Sequence, residues 1–149
     1  MPDSDMIKLY SGRILALAAD IPHTGRLEAP MASARRRSPL CGSTVTVDLD
    51  VTDGHITRFG QEVKACALGQ ASAAVLGAQA MGRSRADLET ALTQLRAMLK
   101  EDGAPPAAPF EALEVLVPAR DYKNRHASIL LAFEAAVEAM AAAEASACA

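Results

Sequence analysis

The sequence predicts an α+β fold, a small antiparallel β-sheet packed on one face by α-helices. Three observations predict it. From Ser43 to Val51, the apolar Val45, Val47, Leu49 and Val51 alternate with Thr44, Thr46, Asp48 and Asp50, the two-residue period of a strand with one wet face. Asp53-Gly54 follows as a hairpin-turn pair, and His55 to Lys64 reads as the return strand, so the hairpin runs over Ser43–Lys64. Beyond Lys64 the pattern changes to helical spacing, in stretches built from Ala, Leu, Val and Met.

In chain order, Met6 to about Ala19 predicts a first helix. Ile7, Tyr10, Ile14, Leu15 and Leu17 recur near one face, with Ser4 or Asp5 as cap and Pro22 and Gly25 as terminators. Leu27 to Ala34 suits a short strand. Arg35-Arg36-Arg37 is the densest charge run: a solvated loop, a docking patch for an acidic partner, or a field acting on Cys41. On the return strand the alternation breaks near Phe59-Gly60, which predicts a bulge. Cys66 to Met81 is a small-residue helix closed by Gly82. Internal glycine costs about 1 kcal/mol against alanine, so Gly69 and Gly77 predict close approach of another backbone. Ser84 with Asp87 forms a capping-box pattern for the next helix, whose buried face is Leu88, Leu92, Leu95 and Leu99. Gly103 and Pro105-Pro106 stop it. Phe110 to Val117 predicts a short helix broken by Pro118. The polar stretch Arg120–His126 then leads to a last helix, Ser128 to about Ala145, with Ile129, Leu130, Phe133, Val137 and Met140 as core stripe.

The 149 residues suit one domain spanning the whole chain, long enough to bury its own core. Half the residues are apolar but only 3% aromatic, which predicts a core of closely packed small and aliphatic side chains. A net charge of −3 argues against nucleic acid, which needs a basic footprint. No apolar run approaches the roughly 18 residues of a membrane span, and the Met-Pro-Asp-Ser-Asp start lacks the order of a signal peptide. Three cysteines without a close Cys-x-x-Cys pair fit a reducing, cytoplasmic setting. Cys148, next to last, reads as an incidental thiol.

The hairpin carries the chemistry. Cys41 precedes its first strand and Cys66 follows its second, so strand pairing brings both to one end. At the start of a helix, Cys66 sits in the positive end of the dipole, which favours thiolate; the plainer reading is a buried small hydrophobe. His126 is the third candidate, a ligand or a helix-start histidine that only hydrogen-bonds. Two thiolates and an imidazole suit zinc or an iron–sulfur cluster. Ser43, His55, water or a partner would supply a fourth ligand. Lys64, two residues before Cys66, could stabilise its thiolate or simply be solvated. His23 and His55 read as surface residues.

Cys41-Gly42-Ser43, then Cys66-Ala-Leu-Gly-Gln-Ala-Ser-Ala, then His126-Ala127-Ser128-Ile129-Leu130 together resemble the U-type iron–sulfur cluster assembly scaffolds, the IscU, SufU and NifU N-terminal family. The resemblance implies a SufE/NifU-like fold. It implies a scaffold or carrier, not an enzyme in its own right, that accepts sulfur from a cysteine desulfurase, holds a transient iron–sulfur cluster or iron, and passes it to recipient apoproteins. Cys41, Cys66 and His126 would be the ligands. The chain departs from the family at Ser43, where the family has aspartate, and at Ala127, where it has a third cysteine. The long interval from Cys66 to His126 is similar to the SufU branch, which implies zinc and a sulfur-acceptor role as the alternative. Val117-Pro-Ala-Arg120 stands where the IscU branch presents its chaperone motif. A metal-free homologue acting only as an interaction partner in cluster assembly is the third reading.

Overall fold

The structure, a computed structural model, describes residues 11–39 and 42–147. The elements are α1 (Gly12–Ala19), β1 (Ala32–Arg37), β2 (Thr44–Thr52), β3 (His55–Lys64), α2 (Ala67–Gln79), α3 (Arg85–Lys100), a 3₁₀ segment (Glu111–Asp121) and α4 (Lys123–Ala147). The α+β reading holds: a three-stranded antiparallel sheet of order β1-β2-β3, with helices on one side.

The hairpin forms as its sequence requires. Asp53 and Gly54 both take positive φ, 52° and 79°, the backbone of a two-residue turn matched to strand twist. Thr44 pairs with Lys64 at the far end, so the chain on either side of the hairpin meets there. The irregularity expected at Phe59-Gly60 lies instead between Asp50 and Val51. Gly60 stays in register with Asp48, and its bare Cα serves another purpose: a Cβ there would come within 2.8 Å of the Gly25 carbonyl oxygen.

Two strand readings change. β1 begins at Ala32, so the three arginines are strand and not loop. Alternation then splits them. Arg36 turns toward α4 and pairs with Glu134 and Glu138, while Arg35 and Arg37 project from the opposite face. Asp48, expected on the wet face, is fully buried because the segment before β1 folds over it and supplies Arg26 and the Leu27 amide, while Ser33 of β1 adds its hydroxyl.

The described part of the first helix starts at Gly12, with the Ser11 hydroxyl accepting from the Ile14 amide; the expected start near Met6 and the Ser4 or Asp5 cap lie outside the described residues. α3 begins with the capping box of Ser84 and Asp87. The segment after Phe110 continues through Pro118 to Asp121 as 3₁₀ turns, so proline does not break it. α4 starts at Lys123, five residues before the expected Ser128, taking in the polar lead. Packed across β1 and β2 and against α2 and α3, it is the central core helix. It has the length and hydropathy (1.4) of a membrane-crossing helix, which the sequence reading did not foresee, but 67% of that stretch is buried inside the fold.

Candidate functional site

The end of the hairpin, the start of α2 and the first turns of α4 converge. Lys64 ends β3, and two residues later Cys66 occupies the N-cap position of α2 with extended backbone (φ −67°, ψ 170°). Gly69, one turn into α2, makes the convergence possible. A Cβ there would fall 2.7 Å from the Ser128 hydroxyl and 3.0 Å from the Ser128 carbonyl oxygen. The predicted close approach is therefore that of α4. One turn further on, the buried Ser72 hydroxyl donates to the Ile129 carbonyl at 2.7 Å and pins the two helices.

Around the thiol the partners are one hydroxyl, two amides and one guanidinium. Cys66 Sγ lies 3.6 Å from Ser128 Oγ, and Ser128 Oγ lies 3.0 Å from Ser43 Oγ at the foot of β2. Both serines are buried, whereas Cys66 is half-buried and keeps a face to solvent. Burial pushes the Cys66 thiol up. The Gly69 amide, the Ser128 hydroxyl, the Leu68 amide and Arg125 outweigh it and hold the group below its ordinary value. Cys66 makes no side-chain capping hydrogen bond of normal geometry, so the amides act as an electrostatic field favouring thiolate.

His126 sits in the first turns of α4 and is 4% exposed. Its Nε2 lies 2.9 Å from the Ala119 carbonyl and 3.1 Å from that of Arg120. Carbonyl oxygens only accept, so Nε2 carries the proton and the lone pair of a neutral ring is on Nδ1. This bond ties α4 to the preceding 3₁₀ segment, and a ring bonded this way would ligate a metal through Nδ1. Cys41 and Cys148 lie outside the described residues. Among the described residues no three His, Cys, Asp or Glu side chains gather as a metal set. Lys64 is exposed at the strand end, and His55 bonds the Asp53 carbonyl in the hairpin turn, at the opposite end of the hairpin from Cys66. Ser43 joins the site by bonding Ser128. Ser128 and Arg125 belong to the stretch around His126 but were not among the expected site residues; the small residue at Gly69 was the signal that another helix would arrive there.

No protein-family model matches the chain, and no curated protein does. Among solved structures, the N-terminal part of a nitrogen-fixing NifU-like protein from Brucella abortus is 42% identical, with a TM-score of 0.92, over 95% of this chain and 98% of that one. The chain belongs to the NifU-like family of U-type scaffolds. An iron–sulfur cluster assembly scaffold protein for the SUF system from Fervidobacterium islandicum superposes with a TM-score of 0.80 at 18% identity, over 90% of this chain and 98% of that one. A hypothetical protein solved at 2.3 Å gives 0.79 at 18% identity, over 91% and 98%. These last two share the fold. Ser43 and Ala127, the two positions read from the sequence as departures from the family pattern, lie beside Ser128, the first in contact with it and the second adjacent to it in sequence.

Proposed function

We propose that this protein is a cytoplasmic iron–sulfur assembly scaffold or carrier with reduced protein ligation. The observation that carries the reading is the half-exposed Cys66 thiol, held toward thiolate at the N-cap of α2 inside a NifU-like fold. A cysteine desulfurase supplies sulfur as persulfide. The Cys66 thiolate attacks its terminal sulfur; a new S–S bond forms on Cys66 as the donor's S–S bond breaks, and the donor cysteine leaves as thiolate. The cargo is a transient cluster or iron held by Cys66 and Cys41, with His126 as the third ligand and Ser43 and Lys64 as accessory groups, and it passes to recipient apoproteins. Two thiolates instead of three leave part of the metal's coordination to water, sulfide or a partner, which favours release over storage.

The test is anaerobic reconstitution with iron, sulfide and thiol, read by visible absorption and iron bound per chain. The wild type develops a cluster spectrum, and Cys66→Ser abolishes it. No iron above background in the wild type overturns the scaffold reading. Zinc measured in the untreated protein would then support a zinc-dependent sulfur acceptor, and absence of both metals a metal-free partner in assembly.

A further inference from the structure

The face of the sheet turned away from α4 carries a charge pattern that cluster binding does not use. β1 lies at the sheet edge, and its alternation puts Ser33, Arg35 and Arg37 on this face. Register continues the rows across the sheet: Arg37 with Thr44 and Lys64, Arg35 with Thr46 and Glu62. Arg26, Ser33, Arg35, Thr44, Glu62 and Lys64 line an open cleft of about 390 Å³. Asp48 is consumed by Arg26 at 2.7 Å, leaving Glu62 as the one carboxylate among those lining residues. Among the described residues no carboxylate forms an ion pair with Arg35, Arg37 or Lys64. A cationic face on a chain of net charge −3 concentrates opposite charge against the rest of the molecule.

We infer that this face docks an extended acidic segment of a partner protein, laid along β1 with alternate carboxylates on Arg35 and Arg37. Alternate residues of an extended strand stand about 6.6 Å apart, the spacing of both the arginines and the carboxylates that would meet them. The two arginine forks suit bidentate carboxylates. Lys64 closes the row two residues from Cys66, so a partner seated here reaches the thiol end of the hairpin. The inference rests on register and charge, not on cluster binding, and fails separately from the scaffold reading.

The test uses the full chain and a fluorescein-labelled peptide of four Glu-Ser repeats, followed by anisotropy at low salt. The wild type binds, and affinity falls as sodium chloride rises. R35E/R37E weakens binding by about tenfold or more. R13E/K123E, with the same change in net charge away from this face, leaves it within about twofold. Should R35E/R37E fail to fold by circular dichroism, R35Q/R37Q carries the comparison with a smaller loss. No binding by the wild type, or equal loss in both charge-reversed proteins, overturns the inference. Displacement by inorganic phosphate well beyond that by chloride at equal ionic strength also overturns it, assigning the cleft to a small anion.

Discussion

Two polar clusters sit against the same apolar framework and are built in opposite ways. The Asp48 carboxylate has a side chain 1% exposed and accepts from Arg26 Nε at 2.7 Å, Arg26 Nη2 at 3.1 Å, the Leu27 amide at 3.0 Å and the Ser33 hydroxyl. Its hydrogen-bonding capacity is used in full by the segment that crosses β2, which carries Arg26 and Leu27, and by Ser33 of β1. Cys66 is half-buried, touches one hydroxyl at 3.6 Å, and feels amides that favour its charged form without capping it. A buried charge whose partners are complete fixes a loop; a thiolate whose partners are incomplete keeps a lone pair for something else. The first cluster is closed on itself as a structural tie, and the second leaves a thiol with room for a further partner.

Breaking the Asp48 cluster has the largest expected effect. Asp48→Ala leaves the Leu27 amide and Ser33 hydroxyl without their acceptor, while the half-exposed Arg26 regains water, so the cost is about 3 kcal/mol. Chemical denaturation measures it. The same cluster has a pH signature. Burial pushes the Asp48 carboxyl up, but Arg26, Ser33 and the Leu27 amide outweigh it, and the folded-state value lies below the ordinary one. Its contribution is therefore fully present above the unfolded value of about 3.9 and is lost as pH falls through the lower folded value. Wild-type stability should decline through that acid window more steeply than that of Asp48→Asn. Parallel curves would mean that the ion pair contributes no net stability.

The helix junction beneath Cys66 gives an intermediate effect. In an open helix, Gly69→Ala would gain about 1 kcal/mol of helix propensity. Here the new methyl meets Ala65 Cβ at 2.8 Å and the Ser128 backbone oxygen at 3.0 Å, and backbone cannot rotate away. Overpacking of this kind costs about 1–3 kcal/mol, so the net loss is about 1 kcal/mol. Thermal melting reads the loss. A gain in stability would mean that α2 and α4 are free to separate, and that the Ser128 contact with Cys66 is loose.

Local signals in the sequence carried the sheet and most helix ends. Asp53-Gly54 specified the hairpin, alternation specified β2, and Ser84 with Asp87 specified the start of α3. The misreadings share a cause, which is tertiary cover that no local pattern encodes. Asp48 looked wet because the segment carrying Arg26 and Leu27 is remote in sequence, and Gly60 looked like a bulge because Gly25 is equally remote. Arg35-Arg36-Arg37 read as loop because three charges hide the alternation; Glu134 and Glu138, which receive Arg36, lie about a hundred residues away. Cys66 was legible as a helix-start thiol. Ser128 was not, since a serine carries no chemical signal until Gly69 lets its helix close in.

The smallest expected effect is the one that best separates the two clusters. Cys66→Ala removes a half-buried sulfur that caps nothing, and the Ser128 hydroxyl keeps its bond to Ser43 at 3.0 Å. No buried polar group is orphaned and no closed cavity is opened, so the stability change should be about 0.5 kcal/mol, the range of ordinary surface substitutions. The same variant should be unable to take up sulfur or iron at this position, which reconstitution reads directly. Function lost with stability kept is what a side chain retained for chemistry predicts. A loss of about 2 kcal/mol or more, typical of core truncation, would instead place Cys66 with Asp48, as a piece of the framework whose low pKa follows from its position on α2 alone.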